Sequence, residues 1–404
     1  DHFKQGEGDR NLHLRGVLLE SLADRPAPQL ASARIAYPPA DGSIAPVDML
    51  VVEAFAARGV KHAELTVNGR PTGVSAHARD GLGRFVLPLA GQLPERGRHQ
   101  LGVVIRTSDN REFAIKPVAV EVMPTAAPAG RYARAVHLLD RFGFGAEPEM
   151  LADILVEGEL DWLSRMIAED AAAPGIAAAR QAAAARLPPD KRGRRVMPRS
   201  LLTMLLSDNP VHARFSMWSQ NHFSTWLRKA RPENKTLEDE RFFQLGIAPF
   251  RQLLMASATS PAMLRYLDQP RSVAGRLNEN YAREIMELHT LGVDGGYSQG
   301  DVTSLAKLLT GWTLVWQVDP ELAVNSERFR FYHKLNNRNA HSVFSGDFPQ
   351  RAPRHSFERV RCAIEMLAAH PSTARHISGK LAAHYVAVPP PQPLVDELSR
   401  VFLA

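Results

Sequence analysis

The chain has 404 residues, with 49 Lys and Arg against 43 Asp and Glu, a formal charge of +6. That length allows two or three domains, the basic excess is too small for a nucleic-acid footprint, and no apolar run approaches the ~20 residues of a membrane helix. The single cysteine, Cys362, excludes an internal disulfide and a cysteine metal cluster and argues against a small disulfide-built secreted fold, while leaving cytoplasm and periplasm both open. The chain starts at Asp1 rather than Met, so no targeting signal can be read from it.

Residues 1–30 are mostly polar, with a short apolar patch at Val17, Leu18 and Leu19, and read as an N-terminal arm. From 31 to 123 the pattern becomes short alternating runs. Phe85, Leu87 and Leu89 alternate, as do Leu101, Val103 and Ile105, then Val118, Val120 and Val122. Asn68-Gly69 is a strong hairpin signal and Asp109-Asn110 another turn. This predicts an immunoglobulin-like β-sandwich with a packing or binding role. The stretch Met123–Gly130, MPTAAPAG, reads as a linker, taken over 124–134. A mainly α-helical domain follows over 135–404, so the fold class is α+β multidomain. Met150–Ile167 is expected to form one amphipathic helix, and Asn209-Pro210 to break the helical stretch Ser200–Leu227. After Trp312 an irregular, Asn-rich segment is expected to run to about Ser356. The last helix runs to Ala404, and the domain is expected to continue beyond it.

Leu277–Trp312 is the most informative stretch. As a helix from Asn278 to Gly292, it places Tyr281, Ile285 and Leu288 on an apolar stripe. Asn280, Glu284, Glu287 and Leu291 fall on a neighbouring face, with His289 nearby. Two carboxylates one turn apart can hold a metal or share acid–base work. They equally suit a structural role, with Arg283 and Glu287 spaced i,i+4 for an ion pair. A second helix is expected near Ser298, with Asp301 in its first turn where a negative charge suits the helix dipole. His222 lies among aromatics, where a core histidine and an acid–base group are both open.

The motifs resemble the bacterial domain-of-unknown-function 1800 family over about 135–404. The matching residues are His137-Leu138-Leu139 with Arg141 and Phe142-Gly143-Phe144-Gly145, then Asn221-His222-Phe223. The core match is Asn278-Glu279-Asn280-Tyr281-Ala282-Arg283-Glu284, Glu287-Leu288-His289-Thr290-Leu291-Gly292, Asp301-Val302 and Leu309-Thr310-Gly311-Trp312. The resemblance implies a helical, secreted or periplasmic bacterial protein, often encoded beside a companion with an alkaline-phosphatase-like fold. It implies no reaction and no cofactor. It also implies a His-Asp pair and a Lys after Phe329 and Phe331; here those positions hold Asn336, Asn337 and His341, and Asn cannot titrate. The acidic residue implied before the Pro-Pro run is replaced near Val388.

Two functions follow as expectations. One is a divergent, catalytically reduced member acting as a binding or assembly component, with Asn221, Asn278, Asn280, Arg283, Asp301, Trp312, His333, Asn336, Asn337 and His341 as candidate binding residues. The other is a hydrolase on an envelope or extracellular polymer such as a glycan. There Glu284 and Glu287 would be the acid–base pair or metal ligands, assisted by His222 and His289.

Overall fold

The computed structural model describes residues 32–38, 42–44, 49–56, 59–77, 83–93, 96–122, 130–169, 174–188, 192–319, 324–337 and 357–404. The expected arm, residues 123–129 of the expected linker, and His341 lie outside them. The chain forms two compact units: Asp1–Leu138 with Ala146–Trp162, and Leu139–Gly145 with Leu163–Ala404.

The first unit holds β1 (Ser32–Tyr37), β2 (Gly42–Ile44), β3 (Met49–Phe55), β4 (Val60–Val67), β5 (Arg70–His77), β6 (Arg84–Pro88), β7 (Gly97–Thr107), β8 (Glu112–Ala114) and β9 (Val118–Val122). One sheet runs β1-β3-β6 and the other β2-β9-β7-β4-β5, with β8 on β7. The alternating residues do what their period of two requires. Phe85, Leu87 and Leu89 from one sheet meet Leu65, Leu101, Val103 and Ile105 from the other in a single core. Asn68 and Gly69 both take positive φ, 52° and 79°, as a two-residue hairpin turn between β4 and β5 needs. The α+β reading, with its N-terminal β region, therefore holds.

Helices follow. They are α1 (Arg131–Phe142), α2 (Pro148–Glu157), α3 (Glu159–Ala168), α4 (Pro174–Arg186), α5 (Val196–Leu206), α6 (Pro210–His222), α7 (Leu227–Ala230), α8 (Pro232–Leu245), α9 (Phe250–Ala258) and α10 (Pro261–Tyr266). After them come α11 (Asn280–Glu284), continued by a π-helix over Ile285–Thr290, and α12 (Gln299–Leu309). The chain then forms β10 (Trp312–Asp319) and β11 (Val324–Phe331), and closes with α13 (Phe357–Ala368), α14 (Pro371–Tyr385) and α15 (Gln392–Leu403). Two expectations are corrected. The helix expected over Met150–Ile167 is two helices, because Gly158 takes φ 103° and ends the first. The segment after Trp312 is not irregular at its start: β10 and β11 pair antiparallel in register from Trp312↔Phe331 to Asp319↔Val324.

That hairpin is tied to the helices by a buried charge. Glu327 accepts from Asn234 Nδ2 at 2.7 Å and from Arg265 Nε at 2.6 Å. Burial alone would raise its pKa, but Arg265 and Asn234 outweigh burial and hold it below the usual carboxylate range. The helical core lies under the hairpin, with Phe223, Phe242, Tyr281, Ile285, Leu309 and Trp312 buried together.

Candidate functional site

The carboxylate helix begins as the sequence suggests and then departs from it. Asn278 Oδ1 accepts from the Asn280 amide at 3.1 Å, while the two carboxamides reach back to the Asp268 and Leu267 carbonyls at 3.4 and 3.5 Å. Both asparagines thus fasten the helix start to the preceding loop. From Ile285 the backbone widens to a π-turn, and Thr290 Oγ1 donates to the Ile285 carbonyl, five residues back, at 2.7 Å. The inserted residue shifts the helical phase. Leu288, expected on the apolar stripe, is 48% exposed, whereas His289 and Thr290 are buried.

Glu284 and Glu287 are half-buried on this turn. Burial raises the Glu284 carboxyl and the Glu287 charge adds to it, against a small opposing effect of Arg283. Tyr297 hydrogen-bonds to Glu287, and its hydroxyl is raised first by burial and then by that carboxylate. The expected Arg283–Glu287 pair is replaced by another. Arg283 lies 3.6 Å from Glu279 and donates to Gln299 at 2.8 Å, while Thr303 and Gln299 each donate to Glu279 at 2.7 Å. Asp301 forms a capping box with Ser298 at the start of α12, its carboxylate accepting from the Ser298 amide at 2.8 Å.

The histidines sit in a separate, drier place. His222 Nε2 faces the His289 carbonyl at 3.1 Å, its ring stacked on Trp218 at 5.1 Å and edge-on to Phe223 at 4.5 Å. His289 and His376 stand 6.3 and 6.5 Å from it, centroid to centroid. His376 bonds the Leu288 carbonyl. Gly292, with φ +85°, closes the helix where a Cβ would come within 3.0 Å of His376 Nδ1. A carbonyl partner places the ring proton of His222 and of His376 on the nitrogen that faces it, and burial keeps each ring neutral, so the other nitrogen is a bare lone pair. Those nitrogens are His222 Nδ1 and His376 Nε2. Burial is the main cause that drives all three imidazoles down, His289 to about 3, with Lys380 adding its charge. Among the described residues, no group of three or more His, Cys, Asp or Glu is placed to hold a metal ion.

These neutral imidazoles carry a pH prediction. A base whose folded pKa is depressed binds fewer protons folded than unfolded between the two values, so stability is intact above the unfolded value near 6.5 and is lost as pH falls below it. His222 and His289 should each cost roughly 2 kcal/mol at pH 5. Asp239, raised to about 6 by burial, works in the opposite sense with a smaller effect over this range. Urea midpoints at pH 7.5, 6 and 5 should therefore fall; a flat or rising series contradicts the neutral burial.

The Asn336 and Asn337 positions have a visible task. Asn336 is buried and donates its Nδ2 to the Leu308 carbonyl at 2.9 Å and to the Thr310 carbonyl at 2.7 Å, at the end of α12. The Asn337 amide donates to Thr310 Oγ1 at 2.6 Å. Between them Gly311 takes φ +86°, and a Cβ there would lie 2.6 Å from the Tyr332 carbonyl. Trp312 is fully buried against Phe329 and Phe357. Asn221 and His333 are exposed. The structure thus gathers Glu284 with Glu287 and His222 with His289. It joins Asn336 and Asn337 to the Thr310 turn beside Trp312.

The sequence reading missed a second buried polar centre. Lys235 lies 3.0 Å from Glu238 and 2.8 Å from Asp239. Glu238 also accepts from Thr225 at 2.5 Å and Ser260 at 2.8 Å. Its signal was present as the i,i+3 and i,i+4 spacing on α8, which reads as ordinary surface pairing until burial is known. His376, one turn before Lys380 on α14, was also passed over, because its place beside His222 is set by packing between distant segments and not by local spacing.

Comparisons with known proteins bear on the two units differently. No protein with a curated description matches the chain. One solved structure, described as the Clostridium thermocellum CbhA fibronectin(III)-like modules, is 16% identical, with a TM-score of 0.20. The match covers 24% of this chain, which spans about half (52%) of the length of that one, and it carries no argument here. The family described as protein of unknown function, DUF1800, matches residues 137–404, which takes in both histidine and carboxylate groups. The chain belongs to the DUF1800 family, with a β region preceding the family's helical part.

Proposed function

We propose that this chain is a divergent family member acting as a binding or assembly component of a periplasmic or extracellular complex. The observation that supports this is Asn336. The position where the family resemblance implies a titrating side chain carries a carboxamide spent on two backbone carbonyls. A carboxamide donates without exchanging protons, so this position clips the Thr310–Trp312 turn in place of acid–base work. Asn278, Asn280 and Asp301 likewise serve helix starts, and Trp312 the core. The test is affinity purification of the chain from its native source, then reconstitution of any retained protein with the purified chain and mass measurement in solution. A complex of fixed stoichiometry supports the reading. A persistent monomer whose polymer-cleaving turnover disappears in Glu284→Gln overturns it.

One observation favours the hydrolase reading: a carboxyl raised by burial and a like charge, as a general acid requires. In that reading Glu284 donates the proton and Glu287 is the other member of the acid–base pair, or the two hold a metal. The neutral His222 and His289 have no carboxylate among the partners seen for them, so neither is oriented as a base by one.

A further inference from the structure

The helical unit contains a cleft of about 660 Å³ between α8, α9, β11 and α13. Its size is that of a ligand site. Its charge is not what its residue types suggest at first. Three carboxylates line it, Glu238, Glu240 and Glu365, and each has a cationic partner, Lys235 being shared with Asp239 and Arg361 with Glu358. Glu238 faces Lys235, Glu240 is held by Arg180 at 2.9 Å and Arg199 at 2.7 Å, and Glu365 by Arg361 at 2.7 Å. Two guanidinium groups in the same lining, Arg241 and Arg251, are exposed and have no carboxylate partner among the described residues. The two charges left without an opposite partner are both positive.

The lining also has a direction. On α8, Leu237, Arg241 and Leu245 follow at i, i+4 and i+8, and on α9 Arg251 and Met255 stand at i and i+4, with Thr259 at its C-cap. Residues four apart lie over one another, so each row runs along its helix for about 12 Å. Each row sets a guanidinium beside an apolar side chain. An extended chain rises ~3.3 Å per residue, so three or four residues span the rows. Arginine forks match carboxylates in pairs of parallel hydrogen bonds, and the apolar neighbours need a partner of their own.

We propose that this cleft is the docking site for a short extended peptide segment of the partner in which pairs of acidic and pairs of apolar residues follow one another, so that each face of the strand carries both kinds. Arg241 and Arg251 take the carboxylates, and Leu245 and Met255 pack against the apolar residues. The proposal rests on the assembly reading above and names the chemistry of its partner.

The probe is the blocked hexapeptide Glu-Glu-Leu-Leu-Glu-Glu, which carries both residue types on each face when extended, titrated calorimetrically into the full chain. The control is the same peptide with glutamine for glutamate. The wild type should bind the glutamate peptide, more weakly as salt rises, and prefer it to the glutamine peptide. The variant R241E/R251E changes two exposed side chains and should lose on the order of tenfold or more in affinity. If that variant melts below wild type, Arg251→Gln serves in its place, with a smaller loss expected. Equal binding of both peptides, equal binding by the variant, or no binding by the wild type overturns the cleft assignment. The reconstituted complex separates the two levels. A complex that forms equally with wild type and R241E/R251E overturns the cleft and leaves the assembly reading standing. Failure of any complex to form, with glutamate-peptide binding intact, removes the assembly reading and keeps the cleft as an acidic-peptide site.

Discussion

Lys235→Met should lower the stability of the helical unit by about 3–5 kcal/mol, the cost of stranding buried charge. The side chain of Lys235 is largely buried, and its partners are buried too: Glu238 at 3.0 Å and Asp239 at 2.8 Å. Burial alone would lower its pKa, but the two carboxylates outweigh burial and keep it charged, above its usual value. Methionine matches the length of the stem and removes only the charge and its hydrogen bonds. Glu238 keeps Thr225 and Ser260 as donors, whereas Asp239 is left in a dry site with no counter-ion. The melting temperature should fall by on the order of 10 °C. The pH dependence identifies the cause. An acid whose folded pKa lies above its unfolded one costs stability above that pKa and costs less as pH falls through it. The deficit should therefore shrink between pH 7 and pH 5. A uniform deficit at both pH values would point to lost packing instead, and no deficit would contradict the buried network.

Asn336→Asp should be the next most damaging change, and it is close to isosteric. The substitution replaces a donor of two bonds by an acceptor aimed at two carbonyls, those of Leu308 and Thr310. Each buried carbonyl left unpaired costs about 1–3 kcal/mol, and an ionised carboxylate in the same place adds to it. A loss of roughly 2–5 kcal/mol is expected, read as a lowered urea midpoint with unchanged slope. Acid should restore part of it, because a protonated carboxyl regains one donor. Thr310→Val, which removes the acceptor of the Asn337 amide and a donor to the Lys307 carbonyl, should cost less, about 1–3 kcal/mol. If Asn336→Asp is neutral, the position is not a clip, and a titrating role regains standing.

The β region was readable because its cues are local. Asn68-Gly69 demands positive φ, and the alternation of Phe85, Leu87 and Leu89 selects one face. The helix boundaries at Asn209-Pro210, Ser298 and Gly292 were readable for the same reason: caps and stops are written in single residues. The π-turn was not. It arises from how Ile285, Met286 and His289 fit the core they meet, and a period of 3.6 assigns Leu288 inward where the fold turns it out. The β10–β11 hairpin was hidden because its anchor, Glu327 with Asn234 and Arg265, spans 93 residues of sequence. The candidate site was half readable. Glu284 and Glu287 do share a turn, but His376 and Lys380 reach the histidine group only through the packing of α14 against the π-turn. Spacing also made Arg283 the natural partner of Glu287, when the competing i−4 carboxylate, Glu279, has Gln299 and Thr303 to hold it in place.

The carboxylate turn decides between scaffold and reaction centre, and one comparison tests it: elemental analysis by mass spectrometry of the natively purified protein and of Glu284→Gln, with a melt of each. Glutamine keeps the shape of Glu284 and removes a charge that burial and Glu287 both oppose. The assembly account predicts the same metal content in both samples, and a melting temperature in the variant equal to or above wild type, within about 0.5 kcal/mol. A metal near one per chain in the wild type, absent from Glu284→Gln, would contradict it and place a reaction centre at this turn.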